Sequence, residues 1–483
     1  MRNQVWIGRL AVLLVFVICG SCSVNPATGK RQLMLVSEAQ EIQLGFESDK
    51  ALTSQLGLYP DDALQEYVQR LGEQLAATSE RPNLDWQFRV VDDPVVNAFA
   101  LPGGFIYMTR GILAHFNNEA ELVSVLGHEI GHVTARHGAS QMSKAQLSQL
   151  GMVGGMIAAP EQMQRYGNLV QTGMGLMFLK FSRDDETQAD NLGFRYLVQG
   201  GYDPRPMADV FDTLGRVGAA QGSERLPGWM STHPHPENRG ARIDAMIAAS
   251  GRDYDAASVN RNGYLDRIQN IVFGEDPRQG YFKEALFLHP ELEFQLAFPA
   301  GWTTVNQRSA VIGVSPQKDA MMQLTLTGQD SAAAALQQFL SPAEIQRANY
   351  PVRVASALVS AGSGFVVQSG ERTLWGVALF VELDGRVYQL LAYTTKALWN
   401  SRGPVLEAAV KSFDRVQDRR VVNARPDRLE IVNVSRAMSV AEFAQRYESS
   451  VEPATLALIN GVDLDARLKA GQRYKVVRGG YTP

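Results

Sequence analysis

Apolar residues in the first half of the chain recur mostly with helical spacing. They predict one helix within residues 64–75 and another from residue 119 to about residue 137. Ser37, followed three residues later by Gln40, marks the start of an earlier helix. WQFRVV (residues 86–91) predicts a strand, and NAFALPGGFIYMTRG (residues 97–111) predicts a glycine-containing turn followed by a second strand. We therefore expect this part of the chain to be mainly helical with a small sheet.

The pattern changes near residue 278. Short runs such as AMMQLTLTG and WGVALFVELDGRVYQLLAYTT have the composition and flanking turn residues of strands, whereas SAAAALQQFLS and PVLEAAVKSFDRV are typical of helices. We therefore expect an α+β domain with an antiparallel sheet over residues 276–420. The polar sequence QDRRVVNARPDR is the predicted linker after it.

The last segment, residues 421–483, is predicted to form a small third domain with the order strand, helix, helix, strand. LEIVNV and QRYKVV are its predicted strands. The order and the ending ALINGVD…RLKAGQRYKVV resemble a LysM domain. The Gly-Asp-Thr usual after the first strand of that domain is replaced here by Arg436, Ala437 and Met438. A weak contact with peptidoglycan and a role in packing or protein contact therefore both stay open.

Composition is that of a soluble globular protein: 45% of the 483 residues are hydrophobic and 20% are charged. The net charge of −4 makes nucleic acid an unexpected partner. Both cysteines, Cys19 and Cys22, lie in the first 22 residues, so we expect no disulfide in the folded part.

The first 21 residues have the pattern of a targeting segment. Arg2 and Arg9 are followed by an apolar run at residues 10–19 that is short for a membrane span. Two small residues then precede Cys22, which resembles the bacterial lipoprotein signal with Cys22 as the lipidated residue. Ser23 in place of aspartate implies the periplasmic side of the outer membrane, held through a lipid anchor only. An ordinary signal peptide, giving a soluble periplasmic protein, is the alternative.

LGHEIGHVTARHG (residues 126–138) carries the candidate chemistry. His128 and His132 are four apart, so a helix places both on one face, where they can bind one zinc ion. Glu129 is offset by about 100° and can take a proton from a water molecule held there. Gly127 and Gly131 each weaken the helix by about 1 kcal/mol relative to alanine. Their presence indicates that another backbone passes close by.

The third ligand is expected on a later helix. His137 lies five positions beyond His132, which turns it off the ligand face, so we assign it a surface or packing role. FSRDDETQADNLGFRYLVQGG (residues 181–201) supplies Glu186 as the third ligand, and Asp190 one turn later can accept the free ring N–H of a ligand histidine. A solvated charged helix face is the alternative interpretation of this stretch.

Five motifs occur in an order that resembles a known family: NPATGKRQLMLVSEAQE, NAFALPGGFIYMTRGIL, ELVSVLGHEIGHVTARHG, SRDDETQAD and STHPHPENR. They resemble the metallopeptidase family that contains the CAAX prenyl endopeptidases, in its bacterial periplasmic lipoprotein and quality-control branch. The resemblance implies a gluzincin-type domain, assigned to residues 22–275, with one Zn²⁺ per chain. It implies His128, His132 and Glu186 as ligands and Glu129 as the general base.

The same resemblance implies roles for STHPHPENRG (residues 231–240). His233 can stabilise the oxyanion of the tetrahedral intermediate, or it can occupy the fourth zinc position and keep the enzyme latent. Arg239 is expected to pair with an acid near the site.

The strand GGFIYM (residues 103–108) is a candidate edge strand beside the cleft. An extended substrate could pair its backbone with such an edge. The predicted substrate-binding residues are Asn97, Ala98, Gly104, Phe105, Ile106 and Tyr107.

The sequence thus predicts a zinc endopeptidase whose substrates, by resemblance, are unfolded or misfolded envelope proteins. The outer-membrane assembly machinery is a candidate partner. One alternative is a latent protease that acts mainly as a chaperone or scaffold for that machinery. Another is a cell-wall-associated binding protein that depends on the LysM-like segment. A membrane-embedded prenyl-protein enzyme is disfavoured because the chain lacks repeated long apolar spans.

Overall fold

The computed structural model describes residues 22–153, 180–220, 228–233, 239–370 and 372–483. The chain divides into two compact units, Met1–Gly274 with Arg428–Arg478, and Glu275–Asp427 with Gly479–Pro483. The predicted targeting segment, residues 1–21, lies outside the described residues. Within the described part, no helix is both long and apolar enough to cross a membrane.

The first unit is mainly helical, as predicted. Ser37 and Gln40 form the reciprocal cap expected at the start of its first helix. Its described helices before the tail are α1 (Glu38–Leu56), α2 (Asp62–Ala76), α3 (Arg110–His115), α4 (Glu119–Thr134), α5 (His137–Val153), α6 (Arg183–Gln199), α7 (Arg205–Ala220), α8 (Trp229–Thr232), α9 (Arg239–Ser250) and α10 (Arg261–Arg267). A short pair of strands, β1 (Cys22–Val24) and β2 (Arg31–Leu33), precedes them.

A small sheet of β3 (Gln87–Val91), β4 (Ala98–Leu101) and β5 (Phe105–Thr109) lies beside these helices. The strand order is β3-β5-β4, with β5 parallel to β3 and antiparallel to β4. The expectation of an edge strand at residues 103–108 is therefore wrong: β5 is the central strand. Since both of its sides are already paired, it cannot add a substrate strand.

Helix α4 ends three residues earlier than predicted. Arg136 adopts a left-handed φ of +58°, which breaks the helix between Thr134 and His137. Its guanidinium donates to Glu41 Oε2 at 2.6 Å and to the Val36 carbonyl at 3.1 Å, so residues of the N-terminal segment hold the break in place.

Close packing of α4 against α6 explains the two glycines of the motif. A Cβ added at Gly131 would lie 3.0 Å from the Ala189 carbonyl oxygen, and one at Gly127 would lie 3.3 Å from the Cα of Gly193. Glycine permits this approach because it has no Cβ. The neighbouring backbone predicted from the sequence is thus the helix that carries Glu186.

The second unit combines helices with two antiparallel sheets. Its larger sheet has the order β10-β11-β12-β16-β15-β14-β13 and its smaller sheet the order β17-β9-β8-β7. The strands are β7 (Tyr281–Lys283), β8 (Leu286–His289), β9 (Phe294–Ala297), β10 (Thr303–Gln307), β11 (Ala310–Val314), β12 (Ala320–Thr327), β13 (Ile345–Val352), β14 (Ser360–Ser369), β15 (Arg372–Leu383), β16 (Arg386–Thr395) and β17 (Asp414–Arg415). The helices are α11 (Ala332–Phe339), α12 (Trp399–Lys411) and α13 (Arg419–Val422), with 3₁₀ turns at Pro277–Gln279 and Lys396–Leu398.

The tail has the predicted strand, helix, helix, strand order. Its elements are β18 (Asp427–Asn433), β19 (Met438–Ser439), α14 (Val440–Arg446), α15 (Pro453–Ile459), β20 (Arg467–Leu468) and β21 (Arg473–Arg478). The expected separate domain at residues 421–483 is nevertheless wrong. Strand β18 lies between β21 and β6 (Val272–Phe273), and Phe443 and Val476 belong to the same buried cluster as Leu113. Glycan binding by this segment stays a prediction.

Lys475 connects the tail to the start of α4. Its buried Nζ donates to the carbonyl oxygens of Ala114 at 3.0 Å and Phe116 at 2.8 Å, just before the Asn118 cap of α4. Burial lowers the pKa of this lysine to about 7. Arg261 adds a second link, because it donates to the carbonyls of Asn117 and Arg473.

Lys475→Met is expected to lower the free energy of unfolding by roughly 1–3 kcal/mol, the cost of leaving buried carbonyls without a donor. Chemical denaturation followed by circular dichroism measures the change. Lys469→Met, at an exposed position of the same segment, is the matched control. Unchanged stability of Lys475→Met would contradict the proposed link.

Candidate metal centre

Four side chains converge on one point in the first unit. His128, His132, Glu186 and His233 each offer a ligand atom, and these atoms lie within 4.8 Å of one another. His128 Nε2 lies 3.0 Å from His132 Nε2 and 3.6 Å from Glu186 Oε2, and His132 Nε2 lies 3.4 Å from Glu186 Oε1. His233 Nδ1 lies 3.3 Å from His128 Nε2 and 3.0 Å from Glu186 Oε1. The sequence-predicted ligands therefore come together, and His233 joins them.

These separations fit a tetrahedral metal ion. Zinc binds histidine nitrogen and carboxylate oxygen at about 2.0–2.2 Å, so atoms at the corners of such a tetrahedron are separated by roughly 3.3–3.6 Å. Three nitrogens and a carboxylate are also a donor set that zinc accepts. The residues present thus fit the metal that the sequence predicts.

Helix geometry and buried partners place the ligands. His128 and His132 lie one turn apart on α4, and Glu186 lies one turn before Asp190 on α6. Asp190 Oδ1 is 2.9 Å from His128 Nδ1, the contact expected of a carboxylate that orients a ligand histidine. Arg239 Nε donates to Asp190 Oδ2 at 2.9 Å, and the Arg239 guanidinium also lies 3.5 Å from Glu186 Oε2.

Electrostatics favour the protonation states that metal ligands need. Burial lowers the pKa of His128 to about 3, so the ring is neutral at pH 7. Burial alone would raise the pKa of Glu186, but His233 and His132 together bring it well below its usual range. A neutral imidazole and an ionised carboxylate are the forms that bind metal.

Glu129 lies beside the donor cluster, within ion-pair distance of His233. Neither of its carboxylate oxygens makes a hydrogen bond to a described residue, although both are buried. His233 Nε2 is 3.5 Å from Glu129 Oε1. Burial raises the pKa of Glu129 to about 8. A buried carboxylate with free lone pairs is suited to accept a proton from a molecule bound at the cluster.

His137 has a place that the sequence analysis missed. Its Nδ1 lies 2.9 Å from the Nδ1 of His132, and its Nε2 lies 3.1 Å from Gln188 Oε1. Helical spacing excluded His137 from the donor set but could not place it against His132, because α4 ends at Thr134 and the chain turns at Arg136. His137 is outside the donor cluster but touches one of its ligands.

Two aromatic rings flank the cluster. Trp229 stacks on His233 with ring centroids 4.0 Å apart, and Phe181 lies 4.0 Å from the His132 ring. His128, Glu129 and Glu186 are fully buried, and His132 and His233 are at most 2% exposed. No local pattern pointed to either aromatic residue, because neither belongs to a metal-binding motif.

The predicted substrate-binding residues lie at two different strands of the small sheet. Gly104, Phe105, Ile106 and Tyr107 lie at or on the central strand β5. Ala98 begins the outer strand β4, and the preceding Asn97 carbonyl accepts a hydrogen bond from Thr109. The Trp229 nitrogen donates to the Val96 carbonyl, so the start of β4 adjoins the helix that leads to His233.

Comparisons with known proteins agree with this geometry. Residues 62–247 match the model described as Peptidase family M48. The chain is 36% identical over 198 residues to the mitochondrial metalloendopeptidase OMA1 of Arabidopsis thaliana, covering 39% of this chain and 38% of that protein. It is 29% identical over 266 residues to the beta-barrel assembly-enhancing protease of Escherichia coli, covering 52% of this chain and 54% of that protein. The chain therefore spans about half of these relatives' length or less.

Likeness to solved structures is weak. Cyanobacterial PsbP from Synechocystis aligns with 28% of this chain and 95% of its own, at a TM-score of 0.23 and 14% identity. A TM-score this low does not establish a common fold. The sequence match and the convergent donor set agree on the first unit: over residues 62–247, the chain is similar to the metallopeptidases of Peptidase family M48.

Proposed function

We propose that the chain is a zinc-dependent endopeptidase. The observation that carries the proposal is the convergence of His128, His132 and Glu186, with Glu129 buried beside them and without a hydrogen bond to a described residue. A zinc ion held by this set would act as a Lewis acid toward water and the scissile carbonyl. One ion per chain is expected.

The chain's own residues supply the proton transfers and the orientation. Glu129 takes a proton from the attacking water and later returns it to the leaving amine. Asp190 holds the His128 ring through its Nδ1, and Arg239 neutralises the buried carboxylate of Asp190.

The proposed substrates are unfolded or misfolded proteins of the bacterial cell envelope, and the outer-membrane assembly machinery is the proposed partner. Support comes from the similarity to a relative named for β-barrel assembly and from the lipoprotein-like segment that ends at Cys22. We place the protein on the periplasmic side of the outer membrane through lipid at Cys22.

For substrate approach, the structure favours β4 over β5. Among the described strands, β4 has one neighbour in the β3-β5-β4 sheet, whereas β5 has two. We therefore move the proposed backbone pairing of an extended substrate from residues 103–108 to Ala98–Leu101.

Digestion of casein, an unfolded protein, tests the proposed activity. The purified chain beginning at Ser23 should produce casein fragments, and a zinc chelator should stop the reaction. If neither this protein nor its His233→Ala variant cleaves casein with zinc bound, the endopeptidase proposal is wrong.

A latent form of the same enzyme is the second candidate. His233 Nδ1 lies among the donor atoms, 3.0 Å from Glu186 and 3.3 Å from His128, which is the place of a fourth ligand. A fourth protein ligand would occupy the position that a catalytic zinc site keeps open. The closed, aromatic surroundings of the site support this candidate.

His233→Ala separates the two roles of this histidine. If His233 holds the site closed, casein cleavage should rise at least several-fold in the variant. A fall of roughly 10²- to 10³-fold, the effect of losing an oxyanion donor, would instead favour a role in stabilising the intermediate. Zinc content is measured in parallel, so that loss of the metal is not mistaken for loss of chemistry.

A further inference from the structure

The ring nitrogen of His132 that carries the proton is the one that does not face the cluster. Nε2 lies 3.0 Å from His128 Nε2 and 3.4 Å from Glu186 Oε1, so Nε2 is the atom that points to the metal position. A neutral histidine that binds metal through Nε2 carries its proton on Nδ1. The Nδ1–H of His132 therefore needs an acceptor in this buried site.

That acceptor is His137. The two Nδ1 atoms are 2.9 Å apart, and two unprotonated nitrogens would repel each other at this distance. His132 must donate, so His137 accepts at Nδ1 and carries its own proton on Nε2. That Nε2 lies 3.1 Å from Gln188 Oε1, the carbonyl oxygen of a side-chain amide, which completes the chain of donors and acceptors.

Both ends of this chain lie on metal-binding helices. His132 is on α4, and Gln188 is on α6 two residues after Glu186. His137 is 1% exposed, so water cannot readily replace it as the acceptor. The left-handed turn at Arg136, held by Glu41, brings His137 back to the His132 ring.

We propose that His137 is a positioning residue that fixes the tautomer and ring orientation of His132, and that Gln188 holds His137 in the accepting state. Asp190 serves His128 in the corresponding way, so each ligand histidine has its own buried acceptor. The proposal rests on the zinc site of the proposed function. It assigns a role in metal affinity to a residue that is outside the donor set.

Two substitutions at one position test the proposal. His137→Asn keeps an acceptor oxygen near the position of Nδ1, whereas His137→Leu has a comparable volume but no acceptor. Zinc affinity is measured for each by competition with a chromogenic chelator, and the visible spectrum of the cobalt-substituted protein reports the ligand geometry. Thermal unfolding of the metal-free proteins shows whether both variants fold.

Loss of an outer partner of a metal ligand typically reduces metal affinity by about 10- to 100-fold. His137→Leu should show a loss of this size and an altered cobalt spectrum, and His137→Asn should recover most of the affinity. Gln188→Leu should weaken binding less, because Asp185 Oδ1 lies 3.7 Å from His137 Nε2 and can replace the amide oxygen.

The outcomes separate the two proposals. If the wild-type protein binds zinc and folded His137→Leu binds it equally well, the role of His137 is wrong and the zinc site stands. Equal losses in His137→Asn and His137→Leu would also overturn the acceptor role, since only a shape requirement would then remain. If the wild-type protein binds no zinc, both proposals fail.

Discussion

Glu129→Gln should reduce the rate of casein cleavage by roughly 10²- to 10⁴-fold, the contribution expected of a general acid–base residue. The amide has the shape of the carboxylate but cannot accept a proton. Glu129 makes no hydrogen bond to a described residue, and its Oε1 lies 3.5 Å from His233 Nε2, so the substitution breaks no hydrogen bond there. The variant should therefore bind zinc with the same affinity as the wild-type protein.

The rate is compared in a single-turnover digestion with enzyme in excess over casein. Glu66→Gln, which changes an exposed glutamate on α2, is the matched control and should cleave at the wild-type rate. Cleavage by zinc-loaded Glu129→Gln at the wild-type rate would show that another group takes the proton.

Glu186→Ala should abolish tight zinc binding and, with it, cleavage. This residue is the acidic member of the donor cluster and the one ligand that comes from α6. The loss of zinc affinity should exceed roughly 100-fold, because losing a residue that only hydrogen-bonds to a ligand already reduces affinity by up to about that factor. Competition with a chelator measures the affinity.

Asp184→Ala is the matched control, since it removes an exposed carboxylate from the same first turn of α6. This variant should bind zinc as the wild-type protein does. If Glu186→Ala also retains wild-type affinity, the donor set is wrong, and a carboxylate elsewhere must complete the site.

The convergence of the candidate ligands could be predicted in part, because local spacing determines which residues share a helix face. His128 and His132 are one turn apart, and Glu186 and Asp190 repeat the same spacing on a second helix. His137 could not be predicted in this way. Its position depends on the turn at Arg136, which is held by Glu41 from a distant part of the chain.

The local sequence pattern also could not predict the order of strands in the small sheet. The sequence predicted β3 and β5 as strands, but it does not show that these two pair in parallel or that a further strand, β4, lies outside them. The tail presents the same difficulty: QRYKVV has the pattern of a strand wherever it packs. Tertiary contacts, such as those of Lys475 with Ala114 and Phe116, place this segment in the first unit.

Zinc titration of the metal-free folded protein shows directly whether the chain holds a metal ion. Isothermal titration calorimetry should show one saturable site per chain, and the bound ion should be displaced only by a strong chelator. Absence of saturable zinc binding by the folded protein would contradict the metal centre and the peptidase mechanism built on it.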